Sequence, residues 1–136
     1  MTTTINASTS TGLVNTADTS GILKVQSNGV TTNSQAWGSY SYVNGTSVPT
    51  KNSSYNITSI TLNATGNYTF TFTNAMADTN YSVATSNNYT GGINSVIVQT
   101  YAKTTTTFSI YIGYVSNTGG GCTLLSYGLD FAVFGN

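Results

Sequence analysis

In a chain of 136 residues, the side chains able to carry a charge or act as a thiol near neutral pH are Asp18, Asp78, Asp130, Lys24, Lys51, Lys103 and Cys122. Histidine, glutamate and arginine are missing. Without histidine, a serine or cysteine has no imidazole base to activate it, and the commonest metal ligand is lost as well. Hydrolysis of a glycoside takes two carboxylates facing each other across the sugar. The aspartates are spread too thinly for that: Asp18 lies in the N-terminal segment, Asp78 in a turn after "NAMA", and Asp130 inside the last strand. Asp78 reads as a turn residue accepting from nearby backbone N–H groups. Asp130 alternates with Leu129 and Phe131, which points it to solvent or to a lysine. No aspartate-rich loop is present to hold calcium. Cys122 has no second cysteine to pair with and no cation close in sequence to activate it, so it reads as a small buried hydrophobe. "GGGC", Gly119 to Cys122, lacks the following Lys-Ser/Thr and the strand-to-helix setting of a phosphate loop and reads as a flexible loop tip. These residues describe a non-enzyme with no catalytic residues, no metal and no cofactor.

The rest of the composition agrees. Charged residues make up 4% of the chain and the formal net charge is zero, where an ordinary domain has about a quarter charged. Three scattered lysines cannot displace the counterions of a polyanion, which excludes nucleic acid as a partner. Zero net charge also removes a barrier to self-association. Ten Tyr, five Phe and one Trp supply packing area in a chain otherwise rich in Thr, Ser and Asn. "MTTTINASTS" has neither the basic nor the apolar run of a secretion signal, and no run approaches the ~18 apolar residues of a membrane span. The expectation is a protein made in a cytosol and not inserted in a membrane.

The elements that must position these groups are all strands. Residues 1–35 show no sustained periodicity apart from "ILKVQ", Ile22 to Gln26, bounded by the turn chemistry of "DTSG" and "SNG". This segment reads as an extended N-terminal arm with one or two short strands, too poor in core residues to stand without a partner surface. Ile22, Leu23 and Val25 are its candidate assembly residues. Residues 36–136 read as one β-domain. "WGSYSYV" puts Trp37 and Ser39 on one face, Tyr40 and Tyr42 on the other. "YNITSITL" and "NYTFTFT" flank "NATG", a hairpin with Gly66 at its turn. Tyr68, Phe70 and Phe72 share the predicted core face, with Thr69, Thr71 and Thr73 opposite. "NYSVATS", "NSVIVQTYA", "TFSIYIGYV", "TLLSYG" and "LDFAVFG" complete seven or eight strands, and Pro49 falls in a predicted loop. The pattern predicts an antiparallel β-sandwich, jelly-roll-like, behind the arm.

The stretch from Tyr55 to Val83 resembles a segment of tail-fibre and related virion proteins of bacteriophages, many from marine and cyanobacterial hosts. The matching features are Ala36-Trp37, Asn44-Gly45, Ser54 to Thr61, Gly66 to Phe72, Ala75 to Tyr81 and the terminal "DFAVFGN". Upstream, "ADTSGILKVQSNGVTT" resembles the opening of many phage fibre and appendage proteins. The resemblance implies a structural protein displayed on the virion surface and made in the bacterial host cytoplasm. It implies partners among other capsid or tail proteins and copies of itself, frequently as homotrimers, and brings no catalytic residues. The chain departs from that pattern in joining arm and terminal domain directly, with no shaft between them.

Neutral polar and aromatic groups suit saccharides, so attachment to a host-surface glycan is the natural secondary role. The candidate ligand-binding residues are Asn87, Asn88 and Tyr89 in "SNNYTGG", Ser86 to Gly92, read as a loop whose tyrosine has no evident core partner. Two other readings of the chain are a free carbohydrate-binding module and a filament subunit completed by donated strands.

Overall fold

The computed structural model describes residues 26–27, 30–31, 34–42, 49–87, 95–115 and 121–135. Among these residues there is no helix. In the N-terminal segment β1 (Gln26–Ser27) pairs antiparallel with β2 (Val30–Thr31). Ile22, Leu23 and Val25 lie outside the described residues.

A four-stranded antiparallel sheet holds β3 (Ala36–Ser41), β4 (Thr50–Tyr55), β7 (Ser82–Asn87) and β11 (Leu129–Phe134) in the order β4-β3-β11-β7. A five-stranded antiparallel sheet holds β5 (Ile57–Ala64), β6 (Asn67–Phe72), β8 (Ser95–Lys103), β9 (Thr107–Val115) and β10 (Cys122–Leu124). β8 runs along one side of β9, from Phe108 to Val115. The other side is shared end to end by β6, opposite Thr107 to Tyr111, and β10, opposite Gly113 to Val115. The β5–β6 turn closes the gap between them. There Ile112 N–H donates to the Gly66 carbonyl at 2.8 Å and Leu125 N–H to the Ile112 carbonyl at 3.1 Å. Gly66 takes φ 68°, and a Cβ there would lie 2.4 Å from the Ile112 oxygen. Only glycine satisfies both demands.

The sheets face each other across one core, giving the antiparallel β-sandwich the alternation predicts. Tyr68, Phe70 and Phe72 are buried from β6, and Phe108, Ile110 and Ile112 from β9. Tyr40, Leu129, Phe131 and Val133 meet them from the four-stranded sheet. Phe70 stacks on Phe108 with ring centroids 4.5 Å apart, and Phe131 crosses Phe70 edge-on at 4.8 Å. The predicted face of β6 is therefore the core face.

Four expectations change. "YNITSITL" is two strands, because Asn56 takes a left-handed φ of 57° and turns the chain from one sheet to the other. Tyr55 ends β4, a strand with no apolar alternation that forms as the hairpin partner of β3. Cys122 is exposed, since it sits on β10, a three-residue strand at the rim with no sheet above it. It also opens that strand instead of ending a loop tip. "TLLSYG" contributes to a strand only as far as Leu124.

Candidate functional site

β-strand alternation sends every second residue of β8 and β9 away from the core. Ile97 and Gln99 on β8 thus share the outer face with Ser109, Tyr111 and Gly113 on β9. A bulge in β8 at Tyr101, between the pairs Thr100↔Ile110 and Ala102↔Ser109, re-aims that side chain. Tyr101 lies over Tyr111 with centroids 4.2 Å apart and an interplanar angle of 20°. Its hydroxyl donates to Asn67 Oδ1 at 2.9 Å. Asn63 Nδ2 donates to the same oxygen at 3.1 Å and to Thr69 Oγ1 at 2.8 Å, and the Thr69 and Ser109 hydroxyls pair at 2.9 Å. A neutral polar network therefore holds the upper tyrosine flat on the lower one.

Beside this pair is a depression of about 310 Å³ lined by Ile97, Gln99, Tyr111, Gly113, Cys122 and Leu124. It has the volume of a small-molecule site, for which the range is roughly 300–1,000 Å³. Gly113 makes its floor: a Cβ there would stand 2.5 Å from the Thr123 carbonyl oxygen. Ile97 and Leu124 are 44% and 40% exposed, so the walls are apolar and open to solvent. None of the lining residues carries a charge. The arrangement offers ring stacking, apolar contact and amide hydrogen bonds.

Of the described aspartates, Asp78 lies in the turn before β7 and Asp130 on β11. Asp78 Oδ1 accepts from Asn80 N–H at 2.6 Å, closing the turn expected of it. Asp130 is half-buried on the outer face of the other sheet, between Ser39 and Ser86 in register. No group of three metal-ligating side chains occurs among the described residues. A second depression, of about 350 Å³, opens between the sheets at Tyr81, Val83, Tyr101 and Lys103. Lys103 Nζ there donates to the Tyr81 carbonyl at 2.8 Å and lies 5.2 Å from the Tyr81 ring centroid.

No protein-family model, curated protein or solved structure matches the chain. The site therefore rests on its own geometry.

Of the ligand-binding residues expected from sequence, Asn87 belongs to the end of β7 instead of a loop, because the ladder to β11 runs through Asn87↔Leu129. Ser86 is likewise a strand residue. Asn88 and Tyr89 lie outside the described residues. β7 is in the four-stranded sheet and the tyrosine pair is on the five-stranded one, so Asn87 takes no part in the depression. In sequence Tyr101 and Tyr111 are only members of two predicted strands. Their stacking depends on the β8–β9 register and its bulge, for which the sequence carries no local sign.

Proposed function

We propose that the chain is a non-enzymatic bacteriophage virion protein, a surface-displayed short fibre, knob or head-decoration subunit. It assembles through its N-terminal arm as a homotrimer and contributes to attachment by holding a neutral host-surface saccharide in the depression over Gly113. The observation that carries the binding role is the solvent-open, uncharged depression beside stacked tyrosines. A pyranose has apolar C–H faces and a rim of neutral hydroxyls. It would lie against Tyr111 between Ile97 and Leu124 and exchange hydrogen bonds with the Gln99 amide. The virion role is supported by the resemblance across Ala36–Tyr81 and by a surface almost free of charge.

The same depression favours one other reading, a carbohydrate-binding module with no particle attached. Mass spectrometry of purified particles of the encoding phage separates the two, since only the virion reading expects the chain there. For the binding role, neutral mono- and disaccharides titrated into the labelled protein should shift the amide signals of Gln99, Tyr111 and Leu124 saturably. Gln99→Ala should weaken this binding about tenfold without lowering the melting temperature. Signals that stay still up to about 10 mM saccharide would remove the binding role.

A further inference from the structure

An exposed strand edge is a template for another strand, and folded proteins blunt such edges with bulges, lysines or short length. Among the described residues, every edge of this sandwich but one is blunted. β4 carries a bulge at Asn52 and Lys51 beside it, whose Nζ donates to the Ile57 carbonyl at 3.0 Å. β5 carries two bulges, at Thr58 and Asn63. β8 carries the Tyr101 bulge and Lys103. β10 is three residues long. β7 differs from all of these. Its six residues, Ser82 to Asn87, pair with β11 in one unbroken register, with no bulge, proline or charge. Of the described charged groups, Lys103 is engaged by the Tyr81 carbonyl just before the strand begins, and Asp130 is one strand inward and itself engaged.

We propose that β7 is a self-association edge, pairing antiparallel with β7 of a second copy across a two-fold axis. Two features favour a second copy as the occupant. First, the strand is self-complementary. A two-fold centred on Ala84 sets Val83 opposite Thr85 and Ser82 opposite Ser86, and one centred on Thr85 sets Ala84 opposite Ser86. The second also sets Val83 opposite Asn87, and in both registers every strand side chain brought face to face is uncharged. Second, the outer face of this sheet carries a row of apolar residues in register, Tyr55, Trp37, Ala132 and Ala84, which runs out at the β7 edge. Tyr55 and Trp37 are 47% and 44% exposed. Pairing about Ala84 joins two such rows into one stripe across a continuous eight-stranded sheet. This contact is separate from assembly by the arm, so it doubles whatever the arm builds.

The experiment is sedimentation of the full chain over a concentration series, beside Ala84→Lys, Ser86→Lys and a control, Ser53→Lys, on the already guarded β4. The wild type and the control should give an even-numbered assembly. A lysine on this edge, facing its own copy at position 84 or a small neutral residue at position 86, blocks the pairing, so each variant should halve the mass and raise the dissociation constant at least about tenfold. Amide exchange should show β7 protected in the wild type and open in the variants. Should Ala84→Lys fail to fold, Ser86→Lys decides alone. A wild type with an odd-numbered mass up to about 1 mM, or a mass unmoved by the β7 lysines, overturns the proposal; so does equal loss in the control.

Discussion

Tyr40 and Tyr68 bury their rings 5.3 Å apart in the centre of the sandwich, and neither hydroxyl has a hydrogen-bond partner among the described residues. Ser126 lies near Tyr68, but its hydroxyl accepts from Gly66 N–H. A buried polar group without a partner costs about 1–3 kcal/mol, whereas an apolar group of the same shape costs nothing. Tyr40→Phe and Tyr68→Phe should therefore each raise stability by about 1 kcal/mol in urea titration. Tyr81→Phe should lower it by a similar amount, because the Tyr81 hydroxyl is shared between the Thr104 and Thr107 carbonyls at 2.9 and 2.8 Å. The same burial predicts an alkaline limit. Desolvation pushes Tyr68 and Tyr81 up to about 12, against about 10 for an unfolded tyrosine. Desolvation, with Tyr68 adding to it, raises Tyr40 further still. The unfolded chain therefore loses these protons first. Their contribution to stability is whole below about pH 10 and falls away as pH rises from 10 towards 12. Tyrosinate absorbance should show these three phenols ionising together with unfolding; early titration of all ten tyrosines in the folded protein would contradict their burial.

At the scale of elements, the passage of the chain from one sheet to the other depends on Asn56. Its Nδ2 donates to the Gln35 and Asn74 carbonyls at 3.1 and 3.2 Å, and its Oδ1 accepts from Asn74 N–H at 2.7 Å. Its own carbonyl accepts from Thr73 N–H at 3.2 Å. One side chain thus ties the start of β3 and the end of β6 to the β4–β5 corner. Asparagine tolerates the left-handed region better than most residues but still favours it less than glycine. Asn56→Gly keeps the backbone shape and loses the side-chain bonds; Asn56→Ala loses both. The alanine variant should be less stable than the glycine variant by about 1 kcal/mol, with both below the wild type. Equal stability of the two would mean that the corner has relaxed out of the left-handed conformation.

For the whole molecule, every buried hydrophobic side chain of the core among the described residues lies between Ala36 and Val133. Removing residues 1–33 should therefore leave the sandwich folded, with its cooperative melting transition intact, while abolishing incorporation into particles. Normal incorporation of the shortened chain would remove the arm from the assembly. Pairing through β7 should survive this deletion, so the two modes of association can be read apart.

The class of the fold and the face of each central strand were legible because they are local. Tyr68, Phe70 and Phe72 alternate with threonines, and a pleated strand sends alternate residues to opposite sides whatever it pairs with. The absence of histidine was legible too, since no fold can supply one. What the tertiary structure alone decided are matters of register between distant segments: the stacking of Tyr101 on Tyr111, the rim position of Cys122, the strand character of Asn87, and which edges carry bulges. A slip of one residue would reverse the face of a whole strand, and the sequence has no local sign of where one strand meets its neighbour. β4 shows the limit most plainly. Its residues "TKNSSY" carry no apolar alternation, and they form a strand because β3 offers them a ladder.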